Sequence, residues 1–459
     1  MKSPRLPFEL DEAIDDSLIT ARAGVPLLVE AFRVSGAAAE LERSVRLKER
    51  KRGLSVSETV ESLFVLWASG GERCEDLESL RKDTALATLI GHAFPAPQTA
   101  RDFLDGFDQP ALPLWQSERT TIPGEGERLQ GLAKVNRQLI AFLQERRPQQ
   151  TATIDLDATI LESRKQSAER AWDGRTGYHP LIALWAEQDL ILVDEFRDGN
   201  VGAGADNLRI IQNAAAAAKA AGAQQLLFRS DSAAYEQKTL RWLEGEGHGY
   251  AISADMSQQL AAAIAALPAS AWQAAGEEAD AMRHWAEVVY VPTERYAEKN
   301  ASVPPRYLVM RITKKQGSLF ADGGNQRHYA IVTNRADPEG GSGLDLIAWQ
   351  RAKGGTVEQA HHVLTNELAA EALPSAKFAA NAAWFRLNVL LYNLLSLFKR
   401  VALPEELHNA RPKRLRFVLL DGIGKVIRHA REMLLRLADA AQRMLADRAR
   451  VALAVAQPP

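Results

Sequence analysis

The stretch that decides the fold runs from Thr153 to Ser163 and reads TIDLDATILES. Ile154, Leu156, Ile160 and Leu161 are apolar and partly β-branched, which is the composition of a buried strand. Asp155 and Asp157 nevertheless sit among them. A carboxylate on such an element is costly to desolvate unless it meets a cation, a hydrogen-bond network or water at the strand end. The stretch alone admits three explanations. Both aspartates mark a wet strand end, or one holds a metal, or one is a phosphoryl nucleophile with the other as its acid.

Upstream of Pro148 the apolar period is helical. Ser55 and Glu58 have the spacing of a capping box, with Val60, Leu63, Phe64 and Trp67 recurring behind it. A long helical segment, 125–147, stops at Pro148. Downstream the period changes. Strands are predicted over 151–156, 179–185 and 190–197, then a helix over 206–221 closed by Gly222, a strand over 225–228, a helix over 236–246 and a strand over 250–253. This order predicts a mixed α/β sheet. Residues 255–350 interrupt it with an alanine-rich helix over 260–275 and strand-like runs at 287–291, 307–313 and 328–333, which we read as a mainly β insertion subdomain. The helical period returns over 356–372 and 378–400.

Five regions follow: a helical N-terminal region at 1–148 expected to bind DNA, a first core part at 149–254, the inserted subdomain at 255–350, a second core part at 351–402, and a basic helical C-terminal region at 403–459. Charged residues make up 25% and apolar residues 46% of the 459, and the net charge of −2 gives no global sign of nucleic-acid binding. A single cysteine, Cys74, excludes an intramolecular disulfide and any site built on several thiolates. The start of the chain lacks an apolar signal core, and no apolar run is long enough to span a bilayer, so a cytoplasmic location without membrane association is expected.

If Asp157 ends the first strand and Asp231 follows the fourth, parallel neighbours bring both to the carboxyl edge of the sheet. Glu358, in the first turn of a following helix, supplies a third carboxylate. Such an all-oxygen set suits Mg²⁺, with Mn²⁺ able to substitute.

The wider pattern resembles the DDE transposases of bacterial insertion sequences, in particular transposase DDE domain group 1. The matching blocks are GGERCEDL at 70–77 with LRKD at 80–83, TIDLDAT at 153–159, GYHP at 177–180, FRDGN at 196–200, FRSDSAAY at 228–235, GTVEQ at 355–359, and LPSAKFAANAAW at 373–384 leading to YNL at 392–394. The resemblance implies an RNase H-like catalytic core and places the catalytic, metal-holding acids on Asp157, Asp231 and Glu358. Asp155 becomes an orienting group behind them. It also implies endonuclease and strand-transfer chemistry on double-stranded DNA, at the element's terminal repeats and at a target, with a dimer in the synaptic complex. Related enzymes carry Tyr and Arg before the glutamate and Lys after it, where this chain has Arg351, Gly354 and Thr365. Arg351 and Lys353 are then expected to supply the positive charge from shifted positions.

Two other readings remain. Asp155 and Asp157 also resemble the nucleophile and acid of haloacid-dehalogenase-like phosphatases, but the acidic pair which those enzymes need downstream is missing. A non-catalytic DNA-binding protein derived from a transposase is the other. Phosphate contacts are expected from Arg229, Arg351, Lys353, Lys413 and Arg414. The basic run 43–52 holds six Lys or Arg against one acid, and residues 400–450 hold 12 against 6. His361 and His362 are expected on a solvated helix face, Ser232 in a turn, Trp384 and Tyr392 in the core, and Asn381 and Asn393 as polar anchors.

Overall fold

A computed structural model of the chain describes residues 18–47, 53–292, 305–315, 317–429 and 432–456. Nine strands form the large sheet, numbered here in chain order: β1 (Thr151–Ala158), β2 (Leu181–Trp185), β3 (Leu190–Glu195), β4 (Gln225–Ser230), β5 (Gly249–Ala254), β6 (Gln273–Glu277), β7 (Ala281–Val288), β8 (Arg306–Lys314) and β9 (Gln326–Thr333). Their spatial order is β6-β7-β8-β9-β5-β4-β1-β2-β3.

The half built from β1 to β5 is RNase H-like: β1, β4 and β5 are parallel neighbours, while β2 and β3 extend the other side antiparallel. Helix Asn207–Ala220 makes the crossover from β3 to β4, and Gly222 behind it takes a φ of 103° that only glycine adopts without strain. The inserted strands do not form a separate sheet. β9 pairs antiparallel with β5, Ala251 opposite Thr333, so the insertion lengthens the same sheet by four strands.

The alanine-rich segment expected to be one helix over 260–275 is helical only over Gln258–Ala265, and β6 follows Pro268. Proline cannot continue a helix, and alanine's propensity yields to the pairing that β7 offers. A second difference lies in 403–459. The segment expected to be helical contains a hairpin, Gly424–His429 with Glu432–Leu437, joined by Ile19–Thr20, before helix Ala440–Ala456 begins. Cross-strand pairs such as Val426 with Leu435 give that segment a pairing partner which sequence periodicity does not reveal.

Helix Phe378–Ala402 is buried nearly all round. It packs against helix Glu127–Arg146 and β3. Polar side chains on it find partners across this seam. Asn393 accepts from Ile191 N at 2.8 Å and donates to Asn136 Oδ1 at 2.6 Å. Arg386 reaches Asp194 Oδ2 at 2.9 Å and Glu125 Oε1 at 2.7 Å. Trp384 meets Trp67 edge to face at 4.7 Å between ring centroids, which joins the N-terminal helices to the core. Trp67 lies on helix Val56–Ala68, which starts at the Ser55–Glu58 capping box. One continuous hydrophobic core therefore runs from the N-terminal helices through the sheet to helix Ala440–Ala456.

Candidate active site: carboxylates around one lysine

β1 and β4 are parallel and in register, with Leu156 opposite Ser230 as the last pair. Asp157 and Asp231, the next residue on each, therefore stand side by side where the β1–β4 pairing ends, Asp157 still paired with Ile182 of β2. Asp231 also caps the turn Ser232–Ala234, its Oδ1 accepting from Ala233 N at 3.0 Å, which gives Ser232 its turn role.

Glu358 stands in the first turn of helix Val357–Glu367, entered through the tight turn Ala352–Gly355. Lys353 in that turn joins the acids: its Nζ lies 3.5 Å from Asp157 Oδ1 and 3.2 Å from Glu358 Oε1. Burial pulls the ammonium down, but Asp157, Glu358 and Asp231 outweigh it and hold Lys353 above its ordinary value. For Asp157 the balance goes the other way. Burial, with repulsion from Asp231 and Glu358, exceeds the pull of Lys353 and pushes the carboxyl up to about 6.

Asp155 lies one pleat deeper on the same strand face and is fully buried. Arg229 grips it with a two-pronged contact, Nε to Oδ1 at 2.6 Å and Nη2 to Oδ2 at 2.7 Å, and the Thr356 hydroxyl donates to the same Oδ2. Burial pushes this carboxyl up while Arg229 and Thr356 pull it back. No substrate reaches such a group, which leaves the phosphatase reading without a nucleophile.

The expectation that Arg229 contacts DNA is corrected by the same geometry. Its guanidinium points inward, is 4% exposed, and also donates to Trp349 O at 2.8 Å. Lys353 is largely buried in the acid cluster but also lines the groove beside Glu358. Arg351 borders a groove of about 560 Å³ between Glu358 and the inserted strands, together with Met310, His328 and Tyr329. Lys413 and Arg414 are exposed on the short helix Pro412–Leu415. Of the basic run 43–52, residues 48–52 lie outside the described residues.

His361 is the residue that sequence reasoning misplaced. It is buried, with Nε2 donating to Asp157 O at 3.3 Å and lying 3.9 Å from Asp157 Oδ2. Burial pulls it down to about 4, so the imidazole is neutral near pH 7. The available signal was spacing, because residue i+3 on a helix shares the face of Glu358. His362 is exposed, as expected. At Gly354, where the resemblance implies an arginine, a Cβ would stand 3.4 Å from Glu358 Oε2. The nearby cation comes from Lys353 instead. Thr365 turns its hydroxyl back to His361 O at 2.9 Å.

Among the described residues no three His, Cys, Asp or Glu side chains stand close enough to form a ready cation cage. The donor chemistry still fits a hard divalent ion. Lys353 joins Asp157 and Glu358 directly, Asp231 lies near enough to act on Lys353 and Asp157 through its charge, and burial together with the repulsion of the other two acids drives Asp157 toward protonation.

The sequence profile of transposase DDE domain group 1 matches residues 10–453. The chain belongs to this family. As a DDE transposase it is a DNA transposase, and a divalent metal is the class of cofactor that its family implies. No curated protein matches the chain. Among solved structures, the piggyBac transposase in a synaptic complex with hairpin DNA is similar over 83% of both chains, at 11% identity and a TM-score of 0.35. The Mos1 mariner paired-end complex with Mn is similar over 49% of this chain and 76% of that one, at 14% identity and a TM-score of 0.17. Among the described residues, no helix of this transposase is long and apolar enough to cross a membrane.

Proposed function

We propose that this transposase cleaves phosphodiester bonds at the ends of an insertion sequence and joins the released 3′-hydroxyl to target DNA, with Asp157, Asp231 and Glu358 holding two divalent ions, Mg²⁺ or Mn²⁺. The observation that supports the reading is the contact of Lys353 with both Asp157 and Glu358, with Asp231 set beside Asp157 by the strand register. Bound there, the ions would supply Lewis-acid activation of the attacking oxygen and would offset charge on the leaving one.

The protein's own side chains do the positioning. Strand register fixes Asp157 and Asp231 side by side. His361 holds the Asp157 backbone from beneath. The buried pair of Asp155 and Arg229 braces β1 against β4, and the Thr356 hydroxyl ties the entry of the Glu358 helix to it. Lys353 balances the acid cluster before loading and, from the groove it lines, would meet a phosphate oxygen of the bound strand. Arg351 in the groove, with Lys413 and Arg414 at the surface, would contact the DNA backbone and set its position without reading its sequence. Two element ends must be joined in one event, which calls for a dimer on DNA.

The test incubates the protein with a labelled element end and Mg²⁺ or Mn²⁺, comparing wild type with Asp157→Ala, Asp231→Ala and Glu358→Ala. Cleavage is expected only in wild type. Cleavage that survives one of these changes removes that residue from the site, and DNA binding without any cleavage in wild type would favour the non-catalytic reading.

A further inference from the structure

On the other side of the Glu358 helix lies a second cavity, of about 250 Å³, that the acid cluster does not use. It is lined by Asp189, Gln359, Ser396, Lys399, Arg400 and Arg411, with Gly355 and Thr356 at one wall. Two cations there share one carboxylate: Lys399 Nζ is 3.4 Å and Arg400 Nη1 3.7 Å from Asp189 Oδ2. That same carboxylate also accepts from Ser396 Oγ at 2.9 Å and from the Tyr392 hydroxyl. Arg411 is neutralised separately by Glu367. The positive charge is therefore in excess. Burial pulls the Lys399 ammonium down, and Arg400 adds to this against the opposing pull of Asp189.

Two buried donors in this cavity make no hydrogen bond among the described residues: Gln359 Nε2, and Arg400 Nη1, whose 3.7 Å contact with Asp189 is an ion pair only. A buried donor left unmade costs about 1–3 kcal/mol, and since Lys399 and Arg400 leave one positive charge beyond Asp189, an anionic acceptor answers both the charge and the donors. The wall formed by Gly355 and Thr356 is the N-terminal end of helix Val357–Glu367, whose dipole favours an anion at that end.

We propose that this cavity binds a phosphate group, with Arg400 and Lys399 supplying charge and Gln359 a neutral donor. The group is either a backbone phosphate of bound DNA or a free phosphate, because the two share the same chemistry. Gln359 adjoins Glu358, so an anion here also fastens the helix that carries the third acid.

The experiment uses the full chain, and neither readout depends on cleavage, so failure of the acid-cluster reading leaves it intact. Melting temperature is followed with inorganic phosphate, and affinity for a short duplex DNA is followed across a salt series. Wild type is compared with Arg400→Met and Gln359→Glu. Phosphate should raise the melting temperature of wild type but not of the variants. If DNA is the source, the variants should also bind duplex several-fold more weakly, with a salt slope shallower by about 0.9 for each phosphate they no longer neutralise. A response to phosphate alone identifies a free anion, and a response to DNA alone identifies the backbone. Gln359→Glu changes little in size, so it keeps the test decisive if Arg400→Met does not fold. Variants that match wild type in both readouts overturn the site.

Discussion

Asp155 and Asp157 differ by one pleat of one strand, share its inward face, and have opposite fates. Asp155 is fully buried and doubly bonded by Arg229, with the Thr356 hydroxyl completing its shell. Asp157 reaches the sheet edge, is 15% exposed at its side chain, and faces two more acids with a single ammonium to offset them. The contrast shows how one strand carries both a brace and a reactive group. Stability comes from the carboxylate whose partners are complete, whereas cation binding needs the one whose partners are not.

The largest test of the contrast is catalytic. Asp157→Ala should lower cleavage of an element end by about a thousandfold or more, since a lost metal ligand removes several kcal/mol of transition-state stabilisation. Single-turnover cleavage with Mg²⁺ measures this at unchanged fold.

Next in size is the brace. Asp155→Ala leaves the Arg229 guanidinium buried without a counter-charge and should cost about 3–5 kcal/mol, read by chemical denaturation. The double change Asp155→Leu with Arg229→Met should recover most of that loss. A mild effect from Asp155→Ala alone would break the distinction between the two aspartates.

Asp157→Asn should act in the opposite direction. It removes a carboxyl pushed up to about 6 and should stabilise the metal-free protein by up to about 3 kcal/mol at neutral pH. The sign follows from the raised value: as pH falls through about 6, the folded protein takes up a proton that the unfolded chain does not, so the wild-type penalty fades and the two proteins converge. The same proton competes with the metal, so Mn²⁺ affinity of wild type should fall about tenfold per pH unit below about 6, measured by calorimetry. The smallest expected effect is that of Thr356→Val, which removes one donor to Asp155 and should cost about 1 kcal/mol, read by chemical denaturation.

Much of this was legible in the chain. Alternating and continuous apolar runs located β1 to β5 within a few residues, and the helix and turn signals around Gly222 and Pro148 set their order. Ser55 and Glu58 cap their helix as the spacing predicts. Asn393 anchors β3 to its helix, and Trp384 lies in the core. Asp157 and Glu358, which lie in two of the motif blocks, both contact Lys353. The orientation of charged side chains was not legible. Arg229 reads as a free cation in sequence, yet lies inside because β4 pairs with β1 in a register that sets it opposite Asp155.

The sequence by itself determined the strands and helices of the core, because hydrophobic period and turn residues act over a few neighbours. It also determined which carboxylates are available. Only the tertiary structure decided that Asp155 is a brace while Asp157 faces the other acids, that Lys353 and His361 join the site, and that β6 and the C-terminal hairpin choose pairing over helix. Those outcomes depend on which groups, distant along the chain, arrive within hydrogen-bond reach, and on the depth at which water is excluded. Neither is a property of any short window of residues.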